Sequence, residues 1–208
     1  ANISANTTIC SGYSATIQFN GTPNATVTYT VDGGGNQTIV LNASGTASVT
    51  TPILTTNSTY TLVSVASATT PICTQSQTGS SVVTVQALPT ASVSANTVCS
   101  GNAGTVTFTG TPNAVVTYTV NGGANQTISL NASGNASLTT PVLTANVTYQ
   151  LVSVVTTSAP ICTQNLTANA TVVVTGLPTA SISGTTTICS GTTTGINFSG
   201  TAGATVTY

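Results

Sequence analysis

Polar and apolar residues alternate with a period of two along most of this chain. Residues 105–109 read Thr-Val-Thr-Phe-Thr, and residues 116–120 read Val-Thr-Tyr-Thr-Val. Alternation that is rich in β-branched residues is typical of strands with one face in a core. The pattern continues in the segments 127–130, 136–139, 148–154 and 170–175. No segment has the 3.6-residue period of an amphipathic helix, so the pattern predicts an all-β fold.

Segments rich in glycine and asparagine lie between these predicted strands. Residues 122–125 read Gly-Gly-Ala-Asn and residues 131–134 read Asn-Ala-Ser-Gly, which we interpret as two hairpin turns. With a first strand at residues 90–94, the unit has about seven strands, as an immunoglobulin-like sandwich does. The sequence therefore predicts immunoglobulin-like antiparallel β-sandwiches.

The apolar positions of the alternation are predicted to form the cores. Tyr60 and Tyr149 each follow a leucine by six residues, which is typical of the tyrosine corner, whose phenol bonds to nearby backbone. The predicted core residues are Phe19, Val27, Tyr29, Leu41, Tyr60, Leu62, Phe108, Tyr118, Leu130, Tyr149 and Leu151.

The chain repeats itself at a step of about 89 residues, as tandem structural units do. Gly-Thr-Pro-Asn-Ala at residues 21–25 recurs at residues 110–114. We therefore predict repeat 1 at residues 1–90, repeat 2 at residues 91–179, and a truncated third repeat at residues 180–208. The junctions read Leu-Pro-Thr, and such short proline-containing links predict a stiff row of repeats rather than flexibly tethered domains.

Charged side chains are almost absent. Asp32 is the single acidic residue, and there is no Lys, Arg or His, whereas an ordinary soluble domain has roughly a quarter charged residues. The 39% hydrophobic content argues against disorder. No apolar run approaches the roughly 18 residues of a membrane helix, so we expect no membrane insertion of this segment.

The missing residue types exclude several classes of function. Nucleic-acid binding requires Lys or Arg to neutralise phosphates. Acid–base catalysis and activation of a Ser nucleophile require His, Lys or paired carboxylates. Zinc and calcium sites require clustered Cys and His or several carboxylates. We therefore predict that the chain is not an enzyme and has no cofactor, no metal site and no nucleic-acid partner.

Three motifs together suggest a family. They are Ile-Cys-Ser-Gly at residues 9–12, Gly-Thr-Pro-Asn-Ala-Thr-Val-Thr-Tyr-Thr-Val at residues 21–31, and Thr-Tyr-Thr-Leu-Val-Ser-Val at residues 59–65 followed by Pro-Ile-Cys. The combination resembles the immunoglobulin-like tandem repeats of very large secreted Bacteroidota surface proteins, the Flavobacterium-type adhesins, along the whole chain. The resemblance implies an extracellular or cell-surface location and a role in adhesion, matrix or filaments. It transfers no catalytic residues.

The cysteines lie in two recurring contexts. Cys10, Cys99 and Cys189 precede Ser-Gly, and Cys73 and Cys162 follow Pro-Ile. Regularly spaced cysteines in an extracellular chain indicate disulfides. One pairing lies within repeats, Cys10 with Cys73 and Cys99 with Cys162, but simple strand alternation places those partners at opposite ends of a sandwich. The other pairing crosses the junction and joins Cys10 to Cys162, with Cys73 and Cys99 bonded to further repeats. The sequence leaves both pairings open, and Cys189 lacks its partner in either.

Asparagine sequons are frequent, since 14 of the 18 asparagines begin Asn-x-Ser/Thr. A surface without charge favours association, so we expect a coat of covalent glycans, N- or O-linked, to supply hydration. The alternative is that Asn is frequent because it favours turns and Thr because it favours strands, so that sequons arise wherever the two happen to be adjacent. Asn42 and Asn131, at the predicted hairpin tips, are the first candidate sites; the others are Asn36, Asn125, Asn57 and Asn146.

Two functions remain. The first is a structural segment of an extracellular filament or cell-surface stalk, whose partners are neighbouring repeats of the same polymer. The end of the chain at Tyr208, inside a predicted strand of the third repeat, leads us to expect a longer periodic filament. The alternative is an adhesin module that recognises carbohydrate or another surface, although only nine aromatics are present and most occupy predicted core positions.

Overall fold

The computed structural model of the protein describes residues 1–184 and 186–208, and these form strands without any helix. The alternation of β-branched and polar residues therefore produces the predicted class. In repeat 1 the strands are β1 (Asn2–Ile3), β2 (Thr7–Cys10), β3 (Thr16–Asn20), β4 (Thr26–Val31), β5 (Gln37–Val40), β6 (Thr46–Thr50), β7 (Ser58–Ala66), β8 (Thr74–Ser76) and β9 (Ser80–Gln86).

Repeat 1 is a sandwich of two sheets. One sheet has the order β1-β3-β6, and the other has the order β2-β9-β7-β4-β5, with β8 paired to the far end of β7. Burial alternates along β3 and β4, and their apolar residues face the space between the two sheets. The immunoglobulin-like β-sandwich predicted from the sequence is confirmed.

Repeat 2 has the same architecture. Its strands are β10 (Ala91–Ala95), β11 (Thr97–Cys99), β12 (Asn102–Gly110), β13 (Val115–Val120), β14 (Gln126–Ser129), β15 (Asn135–Leu143), β16 (Val147–Val155), β17 (Thr163–Asn165) and β18 (Asn169–Thr175). The sheets are β10-β12-β15 and β11-β18-β16-β13-β14, with β17 paired to β16.

The first strand predicted at residues 90–94 corresponds to β10, and a short second strand that was not predicted follows it in the other sheet. In repeat 1, β1 pairs with β3 in an antiparallel direction, whereas β2 pairs in parallel with β9. The side chain of Asn6 lies at the crossing, where its Oδ1 accepts the Val82 backbone N–H at 2.9 Å. The crossing carries the chain to the edge of the second sheet and places Cys10 opposite Gln86 at the end of β9.

Residues 176–208 contribute only β19 (Ala180–Ser183) and β20 (Asn197–Gly200), which pair as a two-stranded sheet. Ile182 and Phe198 lie opposite each other and are 63% and 44% exposed. Among the described residues, no side chain after Val174 belongs to the core cluster of repeat 1 or repeat 2. Residues 1–179 therefore carry both cores complete.

All eleven predicted core residues are buried, which confirms the register assigned from the alternation. In repeat 1 the ring of Tyr29 lies 4.9 Å from that of Phe19 and 6.3 Å from that of Tyr60. Phe108, Tyr118 and Tyr149 repeat this arrangement in the second core. Full burial of one such side chain stabilises the fold by about 1.5–3 kcal/mol.

The phenols do not form the predicted tyrosine corners. Among the described residues, neither Tyr60 nor Tyr149 donates a hydrogen bond to a backbone carbonyl; the phenol of Tyr60 lies beside the Ser58 hydroxyl. The phenols of Tyr29 and Tyr118 instead donate to Gln37 and Gln126 across the neighbouring hairpin strand, at 3.0 and 3.1 Å.

One of the two predicted hairpins is a hairpin, and the other is not. β13 and β14 pair directly, and their turn begins one residue earlier than expected because Asn121 and Gly122 both have positive φ. The turn at Asn131, however, connects β14 to β15, which belong to different sheets, and the same holds at Asn42. These two asparagines therefore lie in connections between sheets and not at hairpin tips.

Candidate functional site

The candidate site is the junction between the two sandwiches, and its first half is the loop after β2. The Ser11 N–H donates to the Gln86 carbonyl at 2.8 Å, and the Gly12 N–H donates to the Leu54 carbonyl at 2.9 Å. Gly12 has a φ of 88°, a conformation that glycine adopts without steric penalty. These bonds hold Cys10 at the end of repeat 1 from which the chain continues into repeat 2.

The second half is the loop of residues 156–162 in repeat 2. The Thr156 N–H donates to the Cys162 carbonyl at 3.0 Å, and the Cys162 N–H donates back to the Thr156 hydroxyl oxygen at 2.8 Å. The same hydroxyl donates to the Pro160 carbonyl at 3.1 Å. One threonine therefore closes the loop on both sides and presents Cys162 at the start of β17.

A disulfide bond joins Cys10 to Cys162, whose Cα atoms lie 5.6 Å apart. Both cysteines are buried, at 8% and 1% exposure. Of the two pairings left open by the sequence, the structure has the one that crosses the junction.

Strand direction explains why the pairing within a repeat does not occur. Cys10 aligns with Gln86 at the end of β9, next to the beginning of β7, because β7 and β9 are antiparallel. Cys73 immediately precedes Thr74, which pairs with Ala66 at the end of β7. The nine residues of β7 span about 26 Å at roughly 3.3 Å per residue, far more than the roughly 7 Å limit between bridged Cα atoms.

The remaining cysteines, Cys73, Cys99 and Cys189, are exposed and form no disulfide within the described part of the chain. Bonding of Cys73 and Cys99 to further repeats stays a prediction.

Side chains from both repeats line a shallow groove beside the disulfide. The groove has a volume of about 300 Å³ and is bounded by Ile9 and Tyr13 from repeat 1 and by Pro160 and Ile161 from repeat 2. Tyr13 is 60% exposed and Ile161 is 59% exposed.

The six candidate glycosylation asparagines are all exposed, but their side chains differ in how firmly they are held. The Oδ1 of Asn42 accepts the Ser44 and Thr46 N–H groups, and that of Asn131 accepts the Ser133 and Asn135 N–H groups, at 2.9–3.0 Å.

Asn57 and Asn146 are held by single backbone bonds, in which each Oδ1 accepts an N–H of the last strand of its sandwich at 2.7 Å. Among the described residues, Asn36 and Asn125 have no side-chain hydrogen bond. These two are therefore the freest of the six.

The single charged side chain lies in repeat 1. Asp32 lies at the turn after β4, where its carboxylate accepts the Thr59 N–H at 2.7 Å and the Ser58 hydroxyl at 3.0 Å. The described residues contain no cluster of three His, Cys, Asp or Glu side chains that could hold a metal ion. They also contain no helix that could span a membrane.

Comparison with known proteins gives no family. No model of a protein family matches the chain, and no curated protein matches its sequence.

Solved structures with a similar fold include bacterial surface proteins and an immunoglobulin tandem. A bacterial ice-binding adhesin of 1.5 MDa, studied for host cell surface retention, is 16% identical over 83% of this chain and 63% of that chain, with a TM-score of 0.46. The first two immunoglobulin domains of DIP-gamma are 15% identical over 84% and 95%, with a TM-score of 0.38. The BSP domain of a biofilm-associated protein is 17% identical over 83% and 29%, with a TM-score of 0.29. This chain thus spans less than two thirds of the adhesin chain, and the likeness concerns the fold alone.

Proposed function

We propose that this chain is a non-catalytic structural segment of an extracellular filament or cell-surface stalk. The observation that carries the proposal is the buried disulfide between Cys10 and Cys162, which attaches the end of one sandwich to the beginning of the next. Both cysteines are buried, but neither belongs to the two clusters of core side chains. Its effect is on the relation between the repeats.

The repeats are attached at two points. The first is the short link through Pro89, which is fully buried and has a restricted φ. The second is the disulfide, which lies at the same end of repeat 1. A single covalent link leaves two bodies free to rotate about it, whereas two links oppose that rotation. A stalk or filament requires this resistance to bending.

An oxidising compartment is consistent with the proposal. Disulfides persist outside the cytosol, where thiols are not kept reduced. The location at the cell surface or beyond it rests on this chemistry.

The test measures motion between the repeats. Asn36 and Asn125 are exposed and occupy equivalent positions in the two repeats. Replacing both with azide-bearing residues allows two fluorophores to be attached without introducing further thiols. We expect single-molecule energy transfer to show a narrow distance distribution in the oxidised protein and a broad one in Cys10→Ser.

The matched control for this test is Cys73→Ser, which removes an exposed cysteine away from the junction and should leave the distribution narrow. Equal widths for the oxidised protein and Cys10→Ser would remove the basis for a stiffening role.

We further propose that the surface carries glycans, with Asn36 and Asn125 as the first N-linked sites. Both begin sequons, are exposed and have side chains without hydrogen bonds, whereas the side-chain amides of Asn42 and Asn131 are held in place by backbone N–H groups. Glycopeptide mapping of the native protein tests the order of sites. An intact mass equal to that of the bare polypeptide would contradict the proposal for all of them.

A further inference from the structure

The Cys10–Cys162 bond closes a covalent loop that contains most of both sandwiches. The two cysteines are 152 positions apart in the sequence, and strands β3 to β16 lie between them. Every buried residue of the first core cluster belongs to this loop, and so does every buried residue of the second cluster except Val172. Of the strands that form the two sandwiches, β1, β2, β17 and β18 lie outside the loop. A pull on both ends of the chain therefore reaches the bond through these four strands.

In repeat 1 the segment before the bond runs along the last strand of the sandwich. β2 pairs in parallel with β9, and Cys10 lies opposite Gln86. The crossing before β2 keeps the same offset of 76 positions, since the Val82 N–H donates to the Asn6 Oδ1 at 2.9 Å. Residues 6–10 therefore form one extended segment that ends at the bond.

In repeat 2 the segment after the bond also runs along a single strand. β17 and β18 both pair with β16 in an antiparallel direction, β17 with its end and β18 with its beginning. The two strands therefore follow each other in one direction along β16. Cys162 lies immediately before β17, and Thr175, the last residue of β18, lies opposite Cys99 at the other end of the sandwich. Residues 162–175 thus extend from the junction to the far end of repeat 2.

The strands outside the loop are already close to their greatest length. A strand rises about 3.3 Å per residue, and a fully extended chain spans at most about 3.3–3.6 Å per residue. The loop is different, because its chain turns back from strand to strand. Unfolded and fully extended, it would span roughly 500 Å at that rise. The bond instead holds the two ends of the loop 5.6 Å apart between Cα atoms.

The backbone link through Pro89 lies inside the loop and cannot replace the bond. Without the bond, a pull enters repeat 1 at β1 and leaves it at β9. The noncovalent contacts of the sandwich between these strands must then resist the pull. With the bond in place, the connection from β2 to β17 is covalent.

We propose that this segment carries tension through β1, β2, the disulfide bond, β17 and β18, with the loop between the cysteines outside the path. Two sandwiches joined by backbone alone lengthen whenever one of them unfolds under a pull. Here the ends of the loop cannot separate, so unfolding of residues within it adds no length. The proposal rests on the structural role above and names the load that the segment resists.

The first experiment stretches the full chain between two handles attached at its ends, in optical tweezers. Under oxidising conditions we expect residues 11–161 to add no length at forces that unfold the sandwiches of Cys10→Ser. Cys10→Ser and Cys162→Ser should each reach a full extension about 500 Å greater, at roughly 3.3 Å per released residue. Cys73→Ser is the matched control and should behave as the parent does. Reduction of the parent gives the same comparison without a substitution in the junction.

The second experiment measures whether the sandwiches stay folded under load. Fluorophores at Asn36 and Asn125, both inside the loop, should keep their energy transfer while the oxidised chain is pulled from its ends. In Cys10→Ser the energy transfer should be lost at the force at which the chain lengthens. Moving the handles to Asn36 and Asn125 places the pull within the loop, and the oxidised protein should then lengthen. That result would show that the sandwiches have no exceptional resistance of their own.

Equal full extensions of the oxidised protein and Cys10→Ser would overturn the proposal. Loss of energy transfer in the oxidised chain when it is pulled from its ends would do the same. The junction test is separate, because it measures motion between the repeats without load. A flexible junction with limited extension rejects the stiffening role and leaves this inference intact. A narrow distance distribution together with the full gain in length rejects this inference alone.

Discussion

At the scale of single residues, the connection between the sheets depends on a glycine that no side chain can replace. Gly134 has a φ of 75°, and an added Cβ would meet the carbonyl oxygen of Gly110. The Gly110 N–H also donates to the Gly134 carbonyl at 2.9 Å, so the two backbones are held together. Gly122 has a similar φ of 70° but open space around the position of a Cβ.

We predict that Gly134→Ala destabilises repeat 2 much more than Gly122→Ala. Both substitutions place a side chain in the left-handed region, which costs about 1–2 kcal/mol. Gly134→Ala must in addition separate the two backbones. Urea unfolding of both variants checks this, and equal losses of unfolding free energy would show that the close approach is unimportant.

The core residues were predictable from the sequence because period-two alternation determines which side chains face inward. The turns were less predictable. Asn42 and Asn131 were recognised as turn residues, but their amides accept two backbone N–H groups each in a connection between sheets. Local sequence does not tell whether the strands on either side of a turn pair with each other, because that depends on tertiary packing.

At the scale of elements, each sandwich buries its own core. The two clusters share no residue, and Phe19 and Phe108 occupy equivalent, fully buried positions in them. The third equivalent, Phe198, is 44% exposed on β20. The equivalent side chain is thus fully buried in both sandwich cores and partly exposed on β20.

We expect Phe108→Ala to unfold repeat 2 selectively. Loss of a buried Phe costs about 3–5 kcal/mol, while the core of repeat 1 retains all its contacts. Hydrogen exchange should therefore accelerate in residues 91–175 and stay unchanged in residues 15–86. Phe198→Ala is the control and should alter neither region. Equal acceleration in both repeats would show that the cores are coupled.

The crossing of the first strand is the element that sequence analysis missed. The strand predicted at residues 90–94 corresponds to β10, but β11 was not predicted; it lies in the other sheet and pairs in parallel with β18. β11 has only three residues, too few for alternation to identify it as a strand. Alternation of strand direction nevertheless predicted that the two cysteines of one repeat lie at opposite ends of the sandwich, as they do in the structure.

At the scale of the whole molecule, cohesion depends on apolar packing, sheet hydrogen bonds and the disulfide. Asp32 is the only charged side chain, so salt has almost nothing to screen. We predict that unfolding free energy changes little between low and high salt, and little between about pH 4 and 8. Chemical denaturation across these conditions measures it, and a strong salt dependence would contradict the account.

Reduction should act where salt and acid do not. The Cys10–Cys162 bond joins the two repeats and neither cysteine belongs to a core cluster, so we predict that reducing agent loosens the junction before either sandwich unfolds. Small-angle scattering should report greater motion between repeats, while far-ultraviolet circular dichroism stays unchanged. Simultaneous loss of both signals would indicate that the bond supports the domains themselves.

Alkaline pH is the condition that should unfold the molecule. Burial raises the pKa of Tyr29, Tyr60, Tyr118 and Tyr149 above the ordinary value of 10.0. As pH rises, the unfolded chain releases phenolic protons that the folded chain retains, and this difference favours unfolding. The stability that the buried neutral phenols provide is therefore complete below their ordinary pKa and is lost as pH rises through their raised pKa values. Each phenol contributes a limiting slope of about 1.4 kcal/mol per pH unit.

The measurement is the unfolding free energy from pH 8 to 12, roughly the interval in which phenols titrate, with Cys73, Cys99 and Cys189 replaced by Ser to prevent disulfide exchange. Tyr149→Phe should reduce the slope, because it removes one of the phenols whose pKa burial raises. A flat profile above pH 10 would mean that these phenols ionise in the folded protein without penalty.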